Sequence, residues 1–191
     1  MPSGTEAPIK AFASATAWEQ WLAEHHHTEP ALWLQIAKKT SGISTVTYDE
    51  ALDVALCHGW IDGQRKSHDG NYFLQKFTPR KPRSVWSKRN VAKALQLIES
   101  ARMQPAGFAE VDAAQQDGRW QAAYDSQKTM VIPEDFLLAV QQNEKAKAVF
   151  DSLRRTNLYA IGWKLQTAKT PEIRSRRFKA LLGMLEAGQI P

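Results

Sequence analysis

The sequence is short of cysteine and of long apolar runs. Its 191 residues include one cysteine, Cys57, so no disulfide can form within the chain, and a lone thiol is typical of a reducing compartment. No apolar run approaches the roughly 20 residues that a membrane-spanning helix needs. The N-terminal residues also have no long apolar core of the kind found in a secretory signal. These absences predict a cytoplasmic protein without a transmembrane segment.

The motifs of common cofactor sites are missing as well. No glycine-rich turn joins a predicted strand to a predicted helix, which argues against a phosphate-binding loop. Four potential metal ligands, His58, Asp62, His68 and Asp69, occur close together, but their spacing matches no recognised metal site. We therefore predict neither a metal nor a cofactor.

The chain nevertheless has enough apolar residues to build a core, with 43% hydrophobic residues and seven tryptophans. Alternating apolar residues predict a strand over 32–38, and the turn signal at 68–71 predicts a hairpin of residues 64–67 and 72–78. Helical periodicity surrounds these strands and fills the C-terminal third. The predicted fold class is α+β, with a small antiparallel sheet with helices followed by a helical C-terminal bundle.

Local signals predict several ends of these elements. Thr47 and Glu50 have the spacing of a capping box, and Pro105 is typical of a first helical position. Gly59 is suited to end the helix that Thr47 begins. We further predict that Gly59 and Gly63 both adopt positive φ angles in a tight turn.

The same pattern predicts two parts of the chain. Residues 1–132 are predicted to form an α+β domain that carries a basic, tryptophan-containing segment. Residues 133–191 are predicted to form a helical subdomain packed on that domain. The apolar side chains expected to be buried together in this subdomain are Phe136, Phe150, Leu158, Phe178 and Leu182.

The positive charge of the chain is concentrated in and around the basic segment, residues 80–90. The net charge is +5, yet residues 70–99 alone hold seven basic side chains and one acidic side chain. Cations beside hydroxyl groups and a helix N-terminus are suited to bind phosphates or carboxylates. We predict a ligand site between the turn at 60–63, the hairpin and this segment. The predicted ligand-binding residues are Trp60, Tyr72, Arg80, Lys81, Arg83, Trp86, Ser87, Arg89 and Asn90.

A structural interpretation of the same segment stays open. Runs of charged residues generally face water, so the cations would then form a solvated rim. Trp86 would pack in the core, and Pro79 and Pro82 would hold an extended connector. Either Ser84 or Ser87 would cap the helix that follows.

Two long motifs resemble one bacterial family. They are Ala55–Gly63 (ALCHGWIDG) and Phe77–Asn90 (FTPRKPRSVWSKRN). Together with the Gly118–Trp120 and Ala168–Arg174 segments, they resemble the YdeI/OmpD-associated family, also described as bacteriocin-protection or OmdA-like. The resemblance covers nearly the whole chain. It implies a bacterial protein of the stress-response or resistance type with a protein partner in envelope stress, and it supplies no catalytic residues.

The leading hypothesis is a non-enzymatic binding module whose partner is a nucleic acid or a small anionic ligand. In this hypothesis Arg80, Arg83 and Arg89 hold the anion. Trp86 and Tyr72 supply a flat apolar wall beside it.

The alternative hypothesis is an enzyme that acts on an anionic substrate. His58 stands at the end of a predicted helix, where the helix dipole favours its charged form, and Asp62 follows it closely. These two residues are the candidate acid–base pair. Cys57 is predicted to be a buried structural thiol, because a helix C-terminus opposes formation of a thiolate.

Overall fold

The computed structural model describes residues 7–126 and 128–191. Within these ranges it contains a four-stranded sheet and eight α-helices, so the fold is mixed α/β. In chain order the elements are β1 (Ile9–Ala11), α1 (Ala15–His25), β2 (Leu32–Ala37), α2 (Tyr48–Cys57), β3 (Trp60–Ser67), β4 (Tyr72–Pro79), α3 (Lys88–Glu99), α4 (Pro105–Gln116), α5 (Glu134–Gln141), α6 (Glu144–Asp151), α7 (Arg155–Gln166) and α8 (Pro171–Glu186). None of the described helices is long and apolar enough to cross a bilayer.

Residue contacts divide the chain into two compact units. The first unit comprises the described residues up to Ser84 together with Ala92–Asp117. The second unit comprises Val85–Val91 together with Gly118–Pro191. The basic segment therefore passes from the first unit to the second between Ser84 and Val85. The predicted division into domains 1–132 and 133–191 is a statement about independent folding, and it stays a prediction.

The sheet of the first unit has the strand order β1-β2-β4-β3. The predicted hairpin is present, since β3 and β4 pair antiparallel, and β4 also pairs antiparallel with β2. The prediction of a purely antiparallel sheet is wrong, because β1 pairs parallel with β2. β1 has only three residues, all of them exposed, so it shows none of the apolar alternation that reveals a strand.

Tryptophan rings fill the core between α1, α2 and one face of the sheet. Trp18 and Trp60 are 0% and 1% exposed. The indole N–H of Trp18 donates to the Ala51 carbonyl at 3.1 Å, and that of Trp60 donates to the His26 carbonyl at 2.9 Å. Because both buried indole donors are hydrogen-bonded, these rings add apolar area without leaving a polar atom unsatisfied.

The predicted ends of α2 are confirmed. The Thr47 hydroxyl accepts from the Glu50 N–H at 3.3 Å, while the Glu50 carboxylate accepts from the Thr47 N–H at 2.9 Å. His58 caps the other end, and Gly59 follows it with a φ of 72°. A side chain at Gly59 would also place its Cβ 2.9 Å from the Ala106 carbonyl oxygen. Glycine is therefore required at residue 59 both by backbone conformation and by space.

The prediction for the second glycine of this turn is wrong. Gly63 does not have a positive φ, and it lies inside β3 at the irregularity in pairing between Asp62 and Arg65. A Cβ at Gly63 would meet only Lys76 atoms, at 3.7 Å or more. The chain reverses at Gly59 alone and then runs directly into β3.

Helices α5 to α8 of the second unit share one apolar core. Its fully buried members are Phe136, Val140, Ala146, Ile161, Leu165, Leu181 and Leu185. Three further predicted members, Phe150, Phe178 and Leu182, are partly buried against this cluster. Leu158, the remaining predicted member, instead lines a small cleft with Tyr159 and Arg155.

Candidate functional site

The basic segment leaves the sheet through a tight turn. The Arg80 N–H donates to the Gly59 carbonyl at 3.0 Å, which fixes the start of the segment to the end of α2. The Ser84 N–H then donates to the Lys81 carbonyl at 3.0 Å, closing a four-residue turn, Lys81–Ser84. Pro82 is the second residue of this turn, and Arg83 is the third, with a φ of 63°. This combination is that of a type II turn, whose third position normally holds glycine or asparagine.

Arg83 is thus an exposed arginine in a strained backbone conformation. A left-handed conformation costs an ordinary residue about 1–2 kcal/mol relative to glycine. Arg83 and Ala101 are the non-glycine residues with positive φ in the described ranges. The side chains of Lys81 and Arg83 are both exposed, so the turn presents two cations to solvent.

Arg80 occupies a different environment from its neighbours in the turn. It is only 5% exposed, and its guanidinium donates to the Ser84 hydroxyl at 3.3 Å. Arg80 therefore lies behind the turn as part of its support, and a ligand on the surface would not contact it directly.

Three predicted ligand residues of the segment support the second unit. Trp86 is 2% exposed, its ring centroid lies 4.9 Å from that of Trp120, and its carbonyl accepts from the Tyr124 N–H at 3.0 Å. The Ser87 hydroxyl accepts from the Asn90 N–H at 3.1 Å, so Ser87 caps α3. Asn90 is 8% exposed. The positions of Trp86, Ser87 and Asn90 therefore agree with the structural interpretation of the segment, in which these residues support the fold.

The cations of the segment do not form one continuous patch of positive charge on the surface. Lys88 forms an ion pair of 2.8 Å with Asp125, and this hydrogen bond is the main cause that lowers the pKa of the Asp125 carboxyl. Lys93 pairs with Asp53 at 2.6 Å. Arg89 is exposed. Among the predicted anion-binding residues, Lys81, Arg83 and Arg89 remain accessible, and they are divided between the two units.

The predicted apolar wall is not assembled within either unit. Tyr72 begins β4 in the first unit, where its N–H donates to the Asp69 carboxylate at 2.8 Å. Trp86 belongs to the second unit. Trp60, the third predicted aromatic contact, is buried in the core of the first unit and has no ring face available to a ligand.

His58 and Asp62 do not contact each other. The Asp62 carboxylate accepts from the Tyr48 hydroxyl at 2.7 Å, and Tyr48 is the first residue of α2. His58 caps the C-terminal end of the same helix, and its Nε2 has no hydrogen-bond partner among the described residues. His58 is also buried, and burial, followed by the nearby His26, lowers its pKa, opposite to the predicted direction. The predicted acid–base pair therefore has no geometric support.

The cysteine behaves as predicted. Cys57 is buried, and burial raises the pKa of its thiol to about 11, so the thiolate is absent at neutral pH. In the part of the chain that the structure describes, no group of three or more His, Cys, Asp or Glu side chains is arranged to hold a metal ion.

A cleft in the first unit was missed by the sequence analysis. It has a volume of about 590 Å³ and lies between the loop that joins β2 to α2, the first turn of α2 and the sheet. Lys38, Lys39 and Arg65 are its cationic lining residues. Arg65 is separated from the two lysines in the chain, and only the pairing of β2, β4 and β3 brings them together. The adjacent Lys38 and Lys39 before a Thr-Ser-Gly turn were the one available signal.

Two family models match the chain. Residues 10–110, more than half of the chain, match the model described as "Domain of unknown function (DUF8412)", and residues 129–188 match "Bacteriocin-protection, YdeI or OmpD-Associated". The chain therefore belongs to the DUF8412 family. The resemblance to the YdeI/OmpD-associated family is confirmed by the match over residues 129–188. No curated protein and no solved structure matches the chain.

The two matched regions have different surfaces. The Lys81–Ser84 turn and the cleft both fall within residues 10–110, the region that matches DUF8412. The 129–188 match covers α5 to α8 and their apolar core. The cationic turn and the cleft each present positive charge that can contact an anion.

Proposed function

We propose that this protein is a non-enzymatic bacterial binding module that contacts the phosphate backbone of a nucleic acid through the Lys81–Ser84 turn. The observation that carries the proposal is the strained, exposed Arg83. Glycine would adopt the same φ without steric cost, so stability alone does not account for arginine at this position. Strained residues on rigid scaffolds are typical of functional sites.

The shape and charge of the turn favour a polymer over a small anion. Lys81 and Arg83 project from an exposed turn and do not enclose a volume. Such a surface suits an extended backbone whose phosphates recur along its length. The turn lies in the most positive stretch of the chain, residues 70–99, which strengthens electrostatic attraction at a distance.

The test is binding of fluorescein-labelled single-stranded RNA and double-stranded DNA, followed by anisotropy at several salt concentrations. Affinity should fall steeply with salt because bound phosphates release counterions. Arg83→Gln and Lys81→Gln should each lower the salt slope by about one, as expected for the loss of one phosphate contact. Arg176→Gln, which removes an exposed arginine of α8, is the matched control and should bind like the wild type.

Three results would contradict the proposal. They are a lack of binding at low salt, an equal loss in the Arg176→Gln control, and an unchanged salt slope in Arg83→Gln. Saturable binding of inorganic phosphate at Arg83, with no affinity for either polymer, would instead favour the small anionic ligand.

The proposal includes a cytoplasmic location and a role in the stress response. A single buried thiol with a raised pKa suits a reducing compartment, although it does not require one. Fractionation of cells that express the tagged full chain tests the location. Recovery in the periplasmic fraction would contradict it.

A further inference from the structure

The cleft of the first unit has the size of a small-molecule site and is independent of the Lys81–Ser84 turn. Its volume of about 590 Å³ lies within the range of 300–1,000 Å³ that is usual for small-molecule sites. Its walls come from the β2–α2 loop, the start of α2, and the inner ends of β2, β3 and β4. All of these elements belong to the first unit, so the cleft is complete within it.

Cations outnumber carboxylates in the lining of the cleft. Lys38, Lys39 and Arg65 contribute three positive charges, while Asp49 is the one acidic residue among the lining residues. The Lys38 ammonium donates to the Asp69 carbonyl at 2.7 Å and also interacts electrostatically with the Asp69 carboxylate, so Lys39 and Arg65 are the cations available to a ligand. Within residues 7–126 and 128–191, no carboxylate lies within 4.0 Å of the charged groups of these three cations. The cleft therefore has a positive potential that a bound anion would balance.

Arg65 is held in one orientation by an aromatic ring. Its guanidinium carbon lies 3.8 Å from the ring centroid of Phe73, a cation–π geometry. The two residues occupy neighbouring strands, β3 and β4, whose pairing fixes their relative positions. A guanidinium stacked in this way retains its edge N–H groups, which are suited to bidentate contact with a carboxylate or phosphate.

The cleft also has an apolar side. Ile36 and Val46 are buried beside Phe73, and Ile43 in the loop is 40% exposed. An inorganic ion alone would leave this surface without a partner. A ligand with both a charged group and a carbon skeleton would contact the cations and the apolar wall together.

We propose that this cleft binds a small organic anion. Its oxyanion group contacts Arg65 and Lys39, and its apolar part packs against Ile36, Phe73 and Ile43. Phosphate monoesters and carboxylates both offer an oxyanion group, and the stacked arginine can donate hydrogen bonds to either. The site is separate from the polymer-binding turn, because neither Lys81 nor Arg83 lines it.

The test uses phenyl phosphate, inorganic phosphate and phenol as probes of the full chain, followed by chemical shifts of the backbone amides. Phenyl phosphate should shift amides in residues 38–48 and near Arg65 and Phe73, and it should bind about tenfold more tightly than inorganic phosphate because its ring adds apolar contact. Phenol, which lacks the charge, should bind more weakly than phenyl phosphate. Equal affinity for phenol and phenyl phosphate would overturn the role of the cations.

Variants separate this cleft from the turn. Arg65→Gln should weaken phenyl phosphate binding by at least about fivefold, and Lys39→Gln by about threefold, since each removes a charged hydrogen-bond donor. Arg102→Gln, an exposed arginine of the same unit outside the cleft, is the matched control. Melting temperatures measure whether each variant folds, and Lys39→Gln removes no hydrogen bond or ion pair within the described chain.

The outcomes are distinguishable from those for the proposed function. Arg65→Gln should leave nucleic-acid affinity within about twofold of the wild type, since Arg65 is outside the turn. Amide shifts confined to other regions, or an Arg65→Gln affinity for phenyl phosphate equal to that of Arg102→Gln, would overturn the cleft proposal. A lack of saturable phenyl phosphate binding below about 10 mM would overturn it as well.

Discussion

The two halves of the basic segment both carry cations but have different surroundings. Residues 80–84 belong to the first unit, and residues 85–90 belong to the second. In the first half, Lys81 and Arg83 are exposed, and the backbone is strained at Arg83. In the second half, Trp86 is buried, and Lys88 is neutralised by Asp125.

The difference shows that a run of like charges in sequence is not one surface in space. A type II turn directs Lys81 and Arg83 of the first half to solvent, whereas hydrogen bonds to Tyr124 and the ion pair with Asp125 hold the second half in the second unit. Lys88 therefore stabilises the fold, while Lys81 and Arg83 stay accessible. Variants in each half test this division.

The largest expected effect is that of Trp86→Ala in the second half. Removing a ring that is 2% exposed and packed on Trp120 should lower the free energy of unfolding by about 3–5 kcal/mol. Lys81→Ala in the first half should change it by less than about 0.5 kcal/mol. Urea denaturation followed by circular dichroism measures both. A loss below about 1 kcal/mol for Trp86→Ala would mean that the second half is not anchored through its ring.

Gly59→Ala tests how firmly the first half is fixed, because Arg80 donates to the Gly59 carbonyl. The added Cβ would combine a positive φ with a 2.9 Å approach to the Ala106 oxygen, so we expect a loss of about 3 kcal/mol. The matched control is Gly63→Ala, whose Cβ meets atoms only at 3.7 Å or more. The control should cost less than about 1 kcal/mol. Equal melting temperatures for the two variants would contradict the assignment of the reversal to Gly59.

Asp125→Asn tests the anchor of the second half. The side chain is 12% exposed and pairs with Lys88 at 2.8 Å, so we expect a loss of about 2 kcal/mol at pH 7. Because the pKa of Asp125 is lowered in the folded protein, its contribution is present above the ordinary value of 3.8 and is lost as the pH falls through the lower folded value.

Denaturation at pH 7, 5 and 3.5 measures that pH dependence. The difference between wild type and Asp125→Asn should be similar at pH 7 and 5 and should begin to decrease at the lowest pH. A double variant with Lys88→Gln should cost little more than Asp125→Asn alone, because both changes remove the same ion pair. Strictly additive losses would show that the pair is not coupled.

Features encoded by neighbouring residues were predictable from the sequence. The Thr47–Glu50 capping box, the start of α4 at Pro105 and the helix end at Gly59 depend on contacts within a few residues, so composition and spacing reveal them. The hairpin of β3 and β4 was predicted for the same reason, since its turn and alternation are local.

Features that depend on distant residues were not predictable in this way. The burial of Trp86 requires Trp120, and the pairing of β1 requires β2. His58 and Asp62 are four residues apart in sequence, but the Asp62 carboxylate accepts from the hydroxyl of Tyr48, which is 14 residues away. The cleft requires that Lys39 and Arg65 meet across three paired strands. Each of these features depends on contacts between residues that are distant in sequence, so no local sequence pattern predicts it.

Ser87→Ala examines the boundary between the halves more finely. The Ser87 hydroxyl caps α3, so its removal should cost about 1 kcal/mol. Ser100→Ala is the matched control at the other end of α3, where the hydroxyl is exposed and donates to a helix carbonyl. This control should stay within about 0.5 kcal/mol of the wild type. If both variants melt together, the Ser87 hydroxyl does not stabilise the start of α3.

The smallest expected effect on stability, and the sharpest on function, is that of Arg83→Gly. Glycine adopts a φ of 63° without the steric cost that arginine bears, while it adds entropy to the unfolded chain. The free energy of unfolding should therefore stay constant or rise by up to about 1 kcal/mol. Ala101→Gly, at a φ of 55°, relieves the same kind of strain away from the turn and should have a similar effect. Nucleic-acid affinity should fall only in Arg83→Gly. If Arg83 binds nucleic acid at a cost in stability, its replacement by glycine should lower the affinity without lowering the stability. If Arg83→Gly is destabilised by more than about 0.5 kcal/mol, Arg83 supports the turn, and the argument from strain fails.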